Sequence, residues 1–259
     1  MRPITLVFFL FVALLSACSD PGEPTPIIEV DQRIIFLEQV LNGQLSTPEG
    51  KLKSESFYYG PNTLQYRTDF YYDSQGRELL RVGIQDEDTT AVYLNEYLED
   101  GKLDQTGMYS LGPAGFVFTH YFKRFYENNG QTINVLIGRD GNFSQHEQFK
   151  LDERGRKISY RRGTETAYDL HEYFYANDQS TQIIEEHYLQ SGMTEPFYRY
   201  RYDYDEQDLL FAKSLQLLGP EYRPAFEYNY DEKGNLIEEI TNDLYFGTLP
   251  TERKTFEYY

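Results

Sequence analysis

The chain has 259 residues, with 42 Asp and Glu against 24 Lys and Arg for a net charge of −18, and 17% of it is aromatic, as 25 Tyr and 18 Phe without Trp. So acidic a chain offers a nucleic acid no electrostatic footprint, and so Tyr-rich a composition argues against disorder or a helical bundle and for an all-β fold. The length suits one or two domains and is ample for a sizeable core.

The chain opens on an address. Arg2, the apolar run from Leu6 to Leu15, and the small residues Ser16 and Ala17 before Cys18 read as a secretory signal over residues 1–17. The run is shorter than the roughly 20 residues a spanning helix needs. Leu15-Ser16-Ala17-Cys18 resembles the lipobox of bacterial lipoproteins. That resemblance implies cleavage before Cys18, a diacylglyceryl group on its sulfur, and a membrane partner reached through that lipid. Cys18 is the single cysteine, which excludes an intramolecular disulfide in an oxidising compartment. Losing residues 1–17 removes Arg2 and no acid, so the mature charge is −19. Residues 18–26, CSDPGEPTP, are too rich in Pro, Gly and acid to pack and form a tether.

In segment 27–50, Val30, Ile34, Leu37 and Leu41 fall at helical spacing, with Asp31 as N-cap and Asn42-Gly43 as stop, and predict a short helix. From residue 51 to 259 the period changes to two. Leu64 to Tyr72 alternates apolar or aromatic with polar residues, the mark of a half-buried strand. A turn follows in Tyr72-Asp73-Ser74-Gln75-Gly76-Arg77, where Asp bonds its own turn and Gly accepts positive φ. The unit returns at Tyr126 to Gly130, Leu151 to Gly155 and Tyr230 to Gly234, in degenerate form at Tyr175 to Gln179 and Tyr204 to Asp208, and shortened at Asp100-Gly101. The turns end at 76, 101, 130, 155, 179, 208 and 234, a period of 24 to 29 residues that two strands and two connections account for. This predicts roughly sixteen strands in one antiparallel meander of repeated β-hairpins, too wide to stay flat and therefore curled into a barrel, half-barrel or spiral.

The Tyr-Asp-x-x-Gly-Arg units at 72–77, their Leu151-Asp152-x-x-Gly155-Arg156 form and Tyr230-Asp231-x-x-Gly234-Asn235 resemble the YD repeats of RHS-type bacterial surface proteins and of envelope lipoproteins. The resemblance covers most of residues 57 to 259. It implies a hairpin array at a bacterial surface and brings no catalytic residue. The RHS cargo function does not carry over, since a large shell and an effector domain have no counterpart in about seven units.

The search for chemistry returns little. His120, His146 and His171 recur about once per repeat, but counting back from their turns puts His146 on the face opposite the other two, against a metal site. His171-Glu172 lacks the second histidine of a zincin, and Gly107-Met108-Tyr109-Ser110-Leu111-Gly112 misses the nucleophile-elbow spacing. Asp203, Asp205, Glu206 and Asp208 lack the Gly and distal Glu of an EF-hand and read as a solvated turn. The row Tyr198, Tyr200, Tyr202 and Tyr204 alternates with charged residues, as core or as a stacking platform. Its recurrence in other units favours core.

The expectation is a non-enzymatic, lipid-anchored envelope protein of the outer membrane without cofactor or metal, binding a protein or glycan. Its candidate contacts are Tyr198, Tyr200 and Tyr202 on one strand and Tyr222 and Arg223 in a loop. The mature charge favours a neutral or basic partner. An integral outer-membrane barrel is the alternative, opposed because the inferred apolar faces carry Arg124, Glu147 and His171; a periplasmic enzyme ranks third.

Overall fold

The computed structural model describes residues 32–41, 45, 47–60, 62–113, 115–164, 166–217, 219–242 and 250–259. The signal segment 1–17, Cys18, the tether, Val30, Asp31 and the Asn42-Gly43 stop lie outside the described residues.

Each repeat folds for a local reason. Asp73 Oδ1 accepts the backbone N–H of both Gln75 and Arg77 at 2.9 Å, and Asp152, Asp205 and Asp231 cap their turns in the same way. The turn needs one left-handed residue. Gly76, Gly155 and Gly234 supply it at φ 73°, 79° and 81°, and Asp208 at φ 64° in a degenerate copy, whereas the turn ending at Gly130 runs through Asn128, Asn129 and Gly130 all at positive φ. The turn through Asn177 instead closes by a Ser180 N–H bond to the Asn177 carbonyl, with no residue at positive φ.

The strands are β1 (Leu52–Tyr59), β2 (Thr63–Tyr72), β3 (Glu78–Gln85), β4 (Asp88–Tyr97), β5 (Leu103–Gly112) and β6 (Gly115–Glu127). There follow β7 (Thr132–Arg139), β8 (Asn142–Leu151), β9 (Lys157–Gly163), β10 (Tyr168–Tyr175) and β11 (Ile183–Gln190). The last are β12 (Tyr198–Tyr204), β13 (Leu210–Gln216), β14 (Arg223–Tyr230), β15 (Leu236–Asn242) and β16 (Pro250–Tyr258). Every strand pairs antiparallel with its sequence neighbours, and β16 pairs with β1 from Leu52 opposite Tyr258 to Tyr59 opposite Glu252. The meander therefore closes into a sixteen-stranded barrel. Closure removes both edges, which would otherwise offer unpaired backbone to another chain.

A tyrosine at the end of every second strand except β8 ties that strand back to the start of the strand before it. Tyr72 donates its phenol to the Leu52 carbonyl at 2.8 Å, and Tyr97, Tyr126, Tyr175, Tyr204, Tyr230 and Tyr258 do the same to Glu78, Leu103, Lys157, Ile183, Leu210 and Leu236. Each of the seven acceptors stands just before a β-bulge in the pairing of its strand with the neighbour on the other side. Tyr204 opposes Leu210 and Asp203 opposes Ala212, so Phe211 has no opposite residue, and the Tyr230 phenol on the Leu210 carbonyl holds β13 from its other side where that ladder is interrupted. Leu151 ends β8 and has no hydroxyl to do this. Arg77 and Arg156 each pair with the turn Asp and lie 4.4 Å from the ring centre of the next hairpin's tyrosine, Tyr97 or Tyr175. Residues of the repeat thus tie both its own hairpin and the following one.

Helix α1 (Gln32–Leu41) follows the predicted spacing. Leu37 is buried against Leu80, Val92, Leu94, Tyr109 and Phe118, and Arg33 stacks 4.0 Å over Phe118 while pairing with Asp140 at 2.7 Å. Among the described residues no helix is long and apolar enough to cross a membrane, which says nothing of strands.

Candidate functional site

Directly opposed residues share a face, so the registers can be followed around the barrel. One face carries Phe149, Tyr160, His171 and Tyr188 in successive pairings, and two residues along the strands it carries Tyr173, Glu186 and Tyr200 in the same way, with Tyr202 opposite Lys213 beyond them. It is the inner face: side chains from β8 to β13 converge there on one cavity, and Lys157 on β9 feels the charge of Lys213 four strands away. The other face carries Arg67, Lys150, Glu172, Arg201, Glu227 and Arg253 on most of the wall. Over β3 to β6 it turns apolar with Leu80, Leu94, Tyr109 and Phe118, and there α1 covers it.

This corrects two expectations. Arg124 opposes Val135, which opposes Glu147, so Arg124, Glu147 and His171 line the lumen and say nothing about the outer wall. His146 is the unopposed bulge residue between Gln145 and Glu147, which breaks the period-two count. His120, Phe122 and His146 accordingly stack in sequence at 4.7 and 5.6 Å on the lumenal side, and burial and His146 lower the His120 pKa. Among the described residues, no group of three or more His, Cys, Asp or Glu is placed to hold a metal ion.

The cavity measures about 520 Å³, and Glu186 is among the residues that line it. That carboxylate is 4% exposed. Oε1 meets His171 Nδ1 at 2.6 Å, Oε2 accepts Lys213 Nζ at 2.8 Å, and Tyr202 donates its phenol to the same oxygen. Burial alone would raise the carboxyl's pKa, but the His171 bond, the Lys213 charge and the Lys213 and Tyr202 bonds hold it down at about 2. Burial lowers Lys213 despite the opposing pull of Glu186; with three donors on the carboxylate, the ion pair is the state the geometry favours. Burial next to this negative charge drives Tyr202 and Tyr173 far up, so both are neutral donors. Tyr160, bonded to Glu147 Oε1 at 2.9 Å, is pushed by burial and that bond to about 12.

Of the residues singled out in sequence, Tyr198, Tyr200 and Tyr202 face the lumen. Tyr202 lines the cavity, Tyr200 lies 3.8 Å under Lys213 Nζ, and Tyr198 stacks flat on Tyr188 at 4.2 Å. Tyr222 is not with them: its phenol bonds Glu185 on the outer face, beside Arg201. Arg223 opposes Leu215 at the start of β14 and is exposed. The acidic turn near Asp203 is a capped hairpin end, with Asp205 accepting two backbone N–H groups. Sequence reasoning missed Glu186, His171 and Lys213 as a group, because only the register of β10 to β13 brings them together.

No protein-family model matches the chain, and no curated protein matches it in sequence. Among solved structures, a porin-like protein from Bacteroides uniformis ATCC 8492 is similar at 8% identity with a TM-score of 0.37, over 82% of this chain and 98% of that one. The TcdB2-TccC3 structure is similar at 12% identity and a TM-score of 0.28, over 74% of this chain and 13% of that one.

Proposed function

We propose that the protein is a lipid-anchored, non-enzymatic binding module of the bacterial outer membrane, a β-barrel whose outer wall meets water and whose lumen receives a glycan. The carrying observation is the outer wall: Arg67, Arg201 and Glu227 lie within strands, on the face away from the cavity, and are exposed. In hydrocarbon each of the two arginines would cost about 2–4 kcal/mol near the midplane, and the glutamate somewhat less. The Leu-Ser-Ala-Cys stretch supports attachment through Cys18 instead. The aromatic and charged cavity is the recess in which rigid rings can stack on a pyranose while polar groups fix its orientation. Glu186 has both oxygens engaged, which suits holding the lumen together more than general acid–base work.

A second reading, an integral outer-membrane barrel, draws on the closed sixteen-stranded wall itself. The two separate on solubility. The fragment from Asp20 onward should purify as a folded monodisperse protein without detergent, and a glycan array should give hits that weaken in Tyr202→Ala. Aggregation that only detergent relieves would favour the second reading.

A further inference from the structure

The hydrogen-bonding capacity left over in the cavity is unequal. Glu186 is saturated by His171, Lys213 and Tyr202, and the Tyr160 hydroxyl already donates its hydrogen bond to Glu147. Two donors remain. Lys157 Nζ lies 4.3 Å from the centre of the Tyr173 ring, and among the described residues it has no carboxylate within 4.0 Å; the Tyr173 phenol has no described hydrogen-bond partner. A ring-stacked ammonium still has N–H groups to donate. In the lining itself Lys157 and Lys213 stand against the single carboxylate of Glu186, while Glu147, also lumenal, accepts the Tyr160 phenol, inside a protein whose net charge is −18. The overall charge does not decide the matter, because exposed charges are screened beyond about 8 Å at physiological salt while partly buried groups are screened much less.

We infer that the cavity takes a pyranose bearing a carboxylate, of the uronic-acid class, with the carboxylate on Lys157 Nζ and the Tyr173 hydroxyl and the sugar ring against Phe149 and Tyr160. This rests on the lumenal-binding reading above and adds its charge selectivity. The volume of about 520 Å³ lies within the range of small-ligand sites and has room for one or two sugar rings.

Calorimetric titration of the mature full chain, in a polyoxyethylene rather than a sugar-based detergent, should show digalacturonate binding at least about tenfold more tightly than neutral galactobiose, as a charge-assisted hydrogen bond implies. Lys157→Met should remove that preference and Lys157→Arg keep it. The Lys157 backbone carbonyl, not its side chain, accepts the Tyr175 phenol, so that bond survives both substitutions. If Lys157→Met fails to fold, Tyr173→Phe is the second variant, expected to weaken digalacturonate severalfold and leave galactobiose unchanged. Equal binding of the two sugars, or digalacturonate affinity unaltered by both variants, would overturn the charge inference and leave lumenal binding standing. Binding of neither sugar would overturn both.

Discussion

Replacing Glu186 by Gln leaves the volume of the side chain almost unchanged and removes one charge at a site 4% exposed. Lys213 then stays buried without a counter-ion, and the Oε1 contact to His171 and the Oε2 contacts to Lys213 and Tyr202 lose their charge assistance. A carboxyl whose ordinary value of 4.5 is held at about 2 contributes roughly 3 kcal/mol of stability at neutral pH. Breaking a buried pair from one side costs about 3–5 kcal/mol, in the same range. The sign with pH follows from the depressed value. The contribution is complete above pH 4.5 and is lost as pH falls from there toward 2. Urea unfolding of the two proteins at several pH values should therefore show a gap of about 3 kcal/mol at pH 7 that narrows steadily below pH 4.5. The double variant Glu186→Leu, Lys213→Met should cost less than Glu186→Gln alone, since no unpaired charge is left behind. A gap under about 0.5 kcal/mol at pH 7, or one that does not change between pH 7 and 3, would refute the reasoning.

The hairpin ends make opposed predictions. Gly155→Val meets open space but a φ of 79°, so thermal melts should show a loss of about 1 kcal/mol or more, whereas Asp208→Gly, at φ 64°, should gain up to about 1 kcal/mol if its contact with Gln182 matters little. Tyr175→Phe removes one phenol–carbonyl bond without removing the ring under Arg156, and a loss near 1 kcal/mol is expected; no change would detach the phenol from its role in the repeat. Leu37→Ala should destabilise by about 2–5 kcal/mol in denaturant titration if α1 seals the apolar panel of the wall. Metabolic labelling with a fatty-acid probe should mark the wild type and not Cys18→Ala, and equal labelling would remove the anchor from the account.

The meander was legible because most units carry local turn chemistry, an Asp or Asn that caps or a residue that accepts positive φ, next to a tyrosine that ends the strand. Closure was not, since the pairing of β1 with β16 joins residues about 200 apart and no local signal marks the strand that will meet another end. Faces were legible only between bulges. His146 shows the failure, because one unopposed residue resets a period-two count that is otherwise correct on either side. Glu186 sits beside Glu185 in a strand of ordinary composition, and nothing in Ile183 to Gln190 says which of the two carboxylates will meet a lysine. That follows only from knowing which residues stand opposite on β10 and β12 and, one strand further, where Lys213 lies. The Tyr row, read from its recurrence as core, faces the lumen, whereas Tyr222, offered with Arg223 as a loop contact, lies on the other face of the wall.

The account stands on water bathing the outer wall, and cysteine accessibility in native membranes tests this without removing the protein from its surroundings. With Cys18 as its single native cysteine, the chain accepts one new thiol at a time at Arg201 or Glu227, both exposed and central in their strands. A water-soluble maleimide applied to isolated membranes should label both positions as fast as it does after detergent extraction. Protection in the membrane that detergent relieves would place these side chains in lipid and contradict the account.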